Sequence, residues 1–116
     1  MNNRKKGTAY EEWAAAWLTR KGMEILKRNY RCRQGEIDLI ARDGKYLVFI
    51  EVKYRGVGKA GHPAEAVDRR KQARIIRAAR QYLFENRISE DQACRFDVVS
   101  ILGEEPEHIE HAFECS

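Results

Sequence analysis

The chain has 116 residues, 43% of them hydrophobic and 34% charged, and a net charge of +4. That length supports one hydrophobic core and not two, and that composition excludes an intrinsically disordered chain. The apolar run Leu47–Ile50 in the middle of the chain is far too short to cross a bilayer.

The N-terminal Met1-Asn2-Asn3-Arg4-Lys5-Lys6 is basic, but no apolar signal-peptide core follows it. The chain is therefore expected in the cytoplasm, with no membrane partner. Thr8 to Lys21 is predicted as the first helix, because Tyr10, Trp13, Ala14, Trp17 and Leu18 follow an i, i+3, i+4, i+7, i+8 stripe. Thr8 and Glu11 fit a capping box, and Gly22 is placed to end the helix. Trp13 and Trp17 are expected in the core. Met23 to Cys32 reads as the first strand, carrying Ile25 and Leu26 inwards and ending with Arg28, Arg31 and Arg33 around Tyr30. Such a cluster suits a nucleic-acid surface, with arginines on phosphates and a tyrosine on a base. An edge strand kept soluble by charge has the same composition.

Gly35 to Arg55 reads as a hairpin turning at Asp43-Gly44. Strand side chains alternate with a period of two. Glu36, Asp38 and Ile40 then share one face of the first arm, and Ile37, Leu39 and Ala41 the other. In the second arm Leu47, Phe49, Glu51 and Lys53 oppose Val48, Ile50 and Val52. Paired arms bring Asp38 opposite Glu51, with Lys53 one pleat beyond. Two hard oxygen ligands beside an ammonium outline a Mg2+-type site. The plainer alternative is a cross-strand salt bridge on a solvated face. The acids' position inside long apolar runs of a basic chain favours the former.

Gly56 to Pro63 is glycine-rich without phosphate-loop spacing, so it reads as a flexible loop that either closes over a nucleic-acid backbone or only connects. A second helix is predicted from an Asp68 N-cap to about Asn86, with an extra turn from Pro63 allowed. Val67, Lys71, Ile75, Ala78, Ala79 and Tyr82 lie near one face, with Leu83 beside them. Lys71 interrupts that apolar face; it either snorkels along the core edge or reaches a phosphate. Arg69, Arg70, Lys71, Arg74, Arg77 and Arg80 crowd this helix, whereas Glu104, Glu105, Glu107, Glu110 and Glu114 gather at the end of the chain. A basic body with an acidic tail suits a phosphate-backbone partner, although a solvated helix face would look the same. Arg95 to Leu102 reads as a strand with Phe96, Val98 and Ile101 apolar, and Asp97 is expected to pair with an arginine. One helical turn would bring His108 and His111 together, but a zinc site lacks its third and fourth ligands. Cys32, Cys94 and Cys115 are scattered and odd in number, which fits reduced thiols. There are no repeats, and residues 1–116 read as one domain.

Gly35-Glu36-Ile37-Asp38-Leu39-Ile40 followed by Phe49-Ile50-Glu51-Val52-Lys53-Tyr54-Arg55 resembles the bacterial YraN family (UPF0102). That family is similar to Holliday-junction resolvases and other nucleases of the PD-(D/E)xK, restriction-endonuclease-like superfamily. The likeness extends to Gly7-x-x-x-Glu11-x-x-Ala14, Arg28-Asn29-Tyr30-Arg31, Lys71 with Ala78-Ala79, and Arg95-Phe96-Asp97-Val98-Val99. Ile37 departs from the superfamily motif, which has proline there. The resemblance implies an α/β restriction-endonuclease-like core, a mixed sheet of about four or five strands flanked by helices. It implies a metal-dependent DNA endonuclease, with branched or flap DNA among its substrates. Asp38, Glu51 and the Val52 carbonyl would hold Mg2+ or Mn2+, and Glu11 would act through water or at a second site. Lys53 would orient or deprotonate the attacking water. Arg31, Arg33, Arg55, Lys71 and Arg74 would contact the nucleic acid, and a homodimer would suit a substrate needing two symmetric cuts. The alternative function is a non-catalytic module that binds nucleic acid or recruits a partner in DNA processing; RNA is a further substrate class.

Overall fold

Alternating apolar residues build five strands and amphipathic stripes build two helices in the computed structural model, which describes residues 3–55 and 67–114, with side chains from residue 9 onward. In chain order these are α1 (Asn3–Arg20), β1 (Glu24–Cys32), β2 (Gly35–Asp43), β3 (Tyr46–Arg55), α2 (Arg69–Glu85), β4 (Cys94–Leu102) and β5 (Glu105–Phe113). The strands form one mixed sheet in the order β1-β2-β3-β4-β5. Only β3 and β4 run parallel, and α2 lies between them in sequence as the crossover a parallel pair needs. The hairpin turns where expected: Asp43 pairs with Tyr46, and Gly44 takes φ of 59°, a conformation that costs glycine nothing.

Each sheet face covers one helix. Leu39, Ala41, Val48, Ile50, Val99 and Ile101 pack against Ala14, Ala15 and Leu18 of α1. Ile40, Leu47, Phe49, Phe96 and Val98 pack against Ile75, Ala78 and Ala79 of α2. Burying each large apolar side chain contributes about 1.5–3 kcal/mol. Helices on both sides of a mixed sheet are the restriction-endonuclease-like arrangement that the resemblance implies. Asp68 caps α2 as expected, accepting the Lys71 N–H at 2.8 Å. Gly35 lets α2 approach closely, since a Cβ there would lie 3.2 Å from both Cβ and the carbonyl oxygen of Arg74.

Four expectations are corrected. Helix α1 starts at Asn3, which leaves Thr8 inside it rather than at its cap, so the capping box has no role. Trp13 is 39% exposed, because Ala14, Ala15 and Leu18 take the sheet-facing stripe and the two indoles stack on its flank with centroids 5.8 Å apart. Leu26 is exposed because a bulge between Ile25 and Lys27 turns it out of the β1–β2 ladder. The acidic tail is a strand, β5, and not a helical turn.

Candidate active site

Strict alternation fails in β2 at Asp38. Ile37 and Ile40 lie in the same cluster on the α2 side although three positions apart, while Leu39 lies on the α1 side. The β2–β3 ladder ends there too, at Leu39–Ile50. Asp38 occupies the break and accepts the Val52 N–H through Oδ2 at 2.8 Å. In a strand the N–H and C=O of one residue point towards the same neighbour, so the Val52 carbonyl faces this gap as well. Glu51 points to the α2 side with Leu47 and Phe49 and is 5% exposed. Its Oε1 meets Lys71 Nζ, from the first turn of α2, at 2.5 Å. The lysine that pairs with Glu51 is therefore Lys71 and not Lys53. Glu11 enters from α1 and couples to Asp38 by charge and a hydrogen bond. With its amide turned to donate, Asn29 reaches the two Glu11 oxygens at 2.5 and 3.1 Å.

Burial and mutual repulsion hold these acids above the ordinary carboxylate range. Burial and then the Asp38 charge push Glu51 up to about 7, and the Lys71 ammonium only partly offsets them. Burial, then the charges of Asp38 and Glu36, push Glu11 up to about 7. Burial raises Asp38 as well, against the pull of the Val52 N–H and Lys71. Burial draws Lys71 down, but its bond to Glu51 and the surrounding negative charge outweigh that and keep it protonated. Among the described residues three carboxyls thus face one ammonium, and negative charge is in excess. A hard divalent cation fits that excess and this all-oxygen donor set. Among the described residues no three His, Cys, Asp or Glu side chains converge as a ready-made cage. Asp38, Glu51 and the Val52 carbonyl are the ligands available, with water and substrate oxygens to complete the shell, as Mg2+ commonly requires.

Beside the junction a groove of about 560 Å³ runs between the start of β2 and the first turns of α2, lined by Arg31, Glu36, Arg70, Lys71 and Arg74. Arg31 and Glu36 pair at 3.3 Å, but both are well exposed, so the pair is weak and the guanidinium stays available to an anion. Arg33 is exposed, and Arg55, at the end of β3, is half-buried; neither lines the groove. Lys53 shares Glu51's face, is half-buried, and makes no ion pair among the described residues. Arg70 was not singled out from sequence, although the Asp68 cap fixes the phase that puts Arg70, Lys71 and Arg74 along one rim. A larger hollow of about 860 Å³, with Phe49, Phe84, Ile88, Phe96 and Phe113 on its walls, lies at the other end of α2 and includes none of the junction's acids.

Two other sequence readings end differently. Tyr30 is buried, donates its hydroxyl to Glu85 at 3.1 Å and meets Tyr82 edge-on, so it is not a base-stacking residue. Asp97 is fully buried and does pair with an arginine: Arg95 Nε and Nη2 both reach it at 2.9 Å. His108 Nε2 sits 2.6 Å from the same carboxylate, while the His111 ring packs on Tyr46, so the two histidines form no shared metal site. Cys32 and Cys94 are reduced, and the Cys94 thiol donates to the Gln92 carbonyl at 3.3 Å. Gly56–Pro63 and Cys115 lie outside the described residues.

The family model described as "Uncharacterised protein family UPF0102" matches residues 10–101. The chain is 50% identical to a UPF0102 protein of Lachnoclostridium phytofermentans, over 99% of this chain and 98% of that one. It is 49% identical to a UPF0102 protein of Aeromonas hydrophila, over 93% and 84% of the two chains. A UPF0102 protein of Geobacter metallireducens is 47% identical over 100% and 98%.

Proposed function

The chain belongs to the UPF0102 family, and from the geometry of its acidic junction we propose that it is a metal-dependent endonuclease that hydrolyses phosphodiester bonds in DNA. The observation that carries this reading is a set of three carboxyls, two of them raised to about 7, opening beside a groove rimmed by Arg31, Arg70, Lys71 and Arg74. The rim suits a phosphate backbone, and the acids suit the cation such a reaction uses. Bound between Asp38, Glu51 and the Val52 carbonyl, Mg2+ or Mn2+ would lower the pKa of a coordinated water and stabilise charge developing on phosphate.

The residues of the chain itself divide the remaining work. The Val52 N–H fixes Asp38, so that carboxylate needs no reorganisation when substrate arrives. Lys53, on the face of Glu51, is placed to orient the attacking water or take its proton. Lys71 bridges the site and the groove: it neutralises Glu51 in the free protein and is long enough to turn to a phosphate. Glu11, on the far side of Asp38, holds a water or completes a second site. Arg33 and Arg55 extend the basic surface. The proposed setting is the cytoplasm, with a homodimer if the substrate is a four-way junction. Separately, no described helix is long and apolar enough to cross a membrane.

The test is cleavage of end-labelled single-stranded, duplex, flap and four-way-junction DNA with Mg2+, Mn2+ or EDTA. Wild type is run beside Glu51→Ala and Lys53→Ala. Metal-dependent cutting lost in both variants supports the proposal. One observation favours a second reading, a non-catalytic binding module: Lys71 already occupies Glu51. Binding that persists equally in EDTA, with no substrate cut, would select it.

A further inference from the structure

The flank of α1 carries a row of aromatic rings, of which Tyr10 and Trp17 rest on the core while Trp13 and Tyr54 reach solvent. Tyr10 stacks on Tyr54 at the end of β3, with centroids 4.1 Å apart and planes 13° from parallel. Trp13 stacks on Trp17 at 5.8 Å and 19°. Trp13 and Tyr54 remain 39% and 38% exposed. Tyr10 and Trp13 are helical neighbours at i, i+3, so the two stacked pairs continue one another along the helix. Tyr10 is adjacent in sequence to Glu11, which faces Asp38. The row therefore starts one residue along α1 from a member of the junction.

We propose that Tyr54, Tyr10, Trp13 and Trp17 form a stacking platform for unpaired bases of a nucleic-acid strand leaving the acidic junction, an inference that rests on the nuclease reading of that junction. Tyr10 to Trp17 spans about 10 Å of helix axis, the rise of roughly three stacked bases. Cations border the end of the row away from the junction: Lys21 lies over the Trp17 ring at 4.6 Å, with exposed Arg20 beside it. Glu12 is the opposing charge next to Trp13. Aromatic rings interleaved with cations suit a strand that offers π-faces and phosphates together. The core of a protein–protein interface is instead depleted in lysine. The platform makes the substrate one with a single-stranded arm, such as a flap or splayed branch.

The test uses the full chain in EDTA, with a short oligothymidylate and a blunt duplex of equal charge as probes, read by anisotropy and by tryptophan emission. Wild type should bind the oligothymidylate more tightly, with its emission quenched. Trp13→Ala should weaken that binding by about 5- to 150-fold, and Trp13→Phe should retain most of it. Tyr54→Ala supplies a second variant, and circular dichroism checks that each is folded. Oligothymidylate binding unchanged in both alanine variants overturns the platform. So does a Trp13→Ala variant that only loses self-association in sedimentation, which would make the row a contact between copies. Trp13-dependent binding with no DNA cut would keep the platform and remove the nuclease. Metal-dependent cutting of flaps at the wild-type rate in Trp13→Ala would do the reverse.

Discussion

Asp38 and Asp97 stand at equivalent defects of the same sheet. Asp38 lies where the β2–β3 ladder ends and takes the Val52 N–H; Asp97 lies where the β4–β5 register slips and takes the His111 N–H at 3.2 Å. Both carboxylates replace a lost ladder bond, and their surroundings then diverge. Asp97 is on the α1 side with Arg95 and His108, and Arg95 is shared with Asp43 and Glu110. Burial alone would raise Asp97, but the bonds from His108 and Arg95 outweigh it and hold the carboxyl below its ordinary range. Lys21 completes that network through the other nitrogen of His108, at 3.0 Å. Asp38, by contrast, has Glu51 and Glu11 as neighbours, and among the described residues Lys71 beside Glu51 and Arg31 near Glu11 offset them only in part, so all three acids stay raised. A carboxylate kept for structure is supplied with positive charge until it is strongly acidic. The Asp38 junction is given less positive charge by the described residues, and its acids stay raised.

The two carboxylates should differ most in what they contribute to stability. Asp97→Ala leaves Arg95 Nε and His108 Nε2 without their buried carboxylate and should cost about 3–5 kcal/mol in urea unfolding. Glu51→Gln should cost less than about 1 kcal/mol in the same measurement, since Lys71 is 43% exposed and can return to water. The activity effects should run the opposite way. Glu51→Gln and Asp38→Asn should lower the cleavage rate by about 100- to 1,000-fold, roughly 3–4 kcal/mol, while DNA binding stays level or tightens.

A smaller effect appears in the pH dependence. Glu11 and Glu51 sit at about 7 against an ordinary 4.5, so the folded state holds more protons than the unfolded chain between those values. Stability should therefore fall as pH rises from about 4.5 to 7, with Glu51 contributing more of the fall than the more exposed Glu11. Asp97 has the opposite sign: its contribution is present above an ordinary 3.8 and is lost as pH falls through its depressed value. Chemical denaturation across pH should show a maximum on the acid side of neutrality, flattened towards pH 7 in Glu51→Gln. The least effect concerns the groove. Arg74→Ala should weaken DNA binding several-fold for all sequences alike and reduce the salt slope by about one, measured by anisotropy across a salt series.

The parts of this molecule that sequence made legible are those governed by local chemistry. Asp43-Gly44 names its own turn, Asp68 its own cap, and the alternation of Val48, Ile50 and Val52 its own face. The expectation that Asp38 and Glu51 come together needed only the hairpin register. Glu51's actual partner, Lys71, comes from a helix twenty residues later in the chain, and only its odd place on an apolar face hinted at a role. Strand β5 was missed because it is an edge strand, and Glu105-Pro106-Glu107-His108 lacks the β-branched residues that mark buried strands. The partnership of His108 with Asp97 depends on that strand and its bulge, and so was hidden with it. Trp13 misled because a helical stripe gives a direction and no depth. The small Ala14 and Ala15 bring α1 close to the sheet and leave the indole on the flank.

The proposed binding of a divalent cation at the Asp38–Glu51–Glu11 junction would be linked to folding. Its most direct test is the unfolding free energy at pH 8 with increasing Mn2+, for wild type, Glu51→Gln and Asp97→Asn. A ligand bound only by the folded state at a hundred times its Kd adds about 2.7 kcal/mol. Wild type should show a concentration-dependent gain, lost in Glu51→Gln and retained in the less stable Asp97→Asn. Equal responses in wild type and Glu51→Gln, or none in either, would contradict the proposed binding.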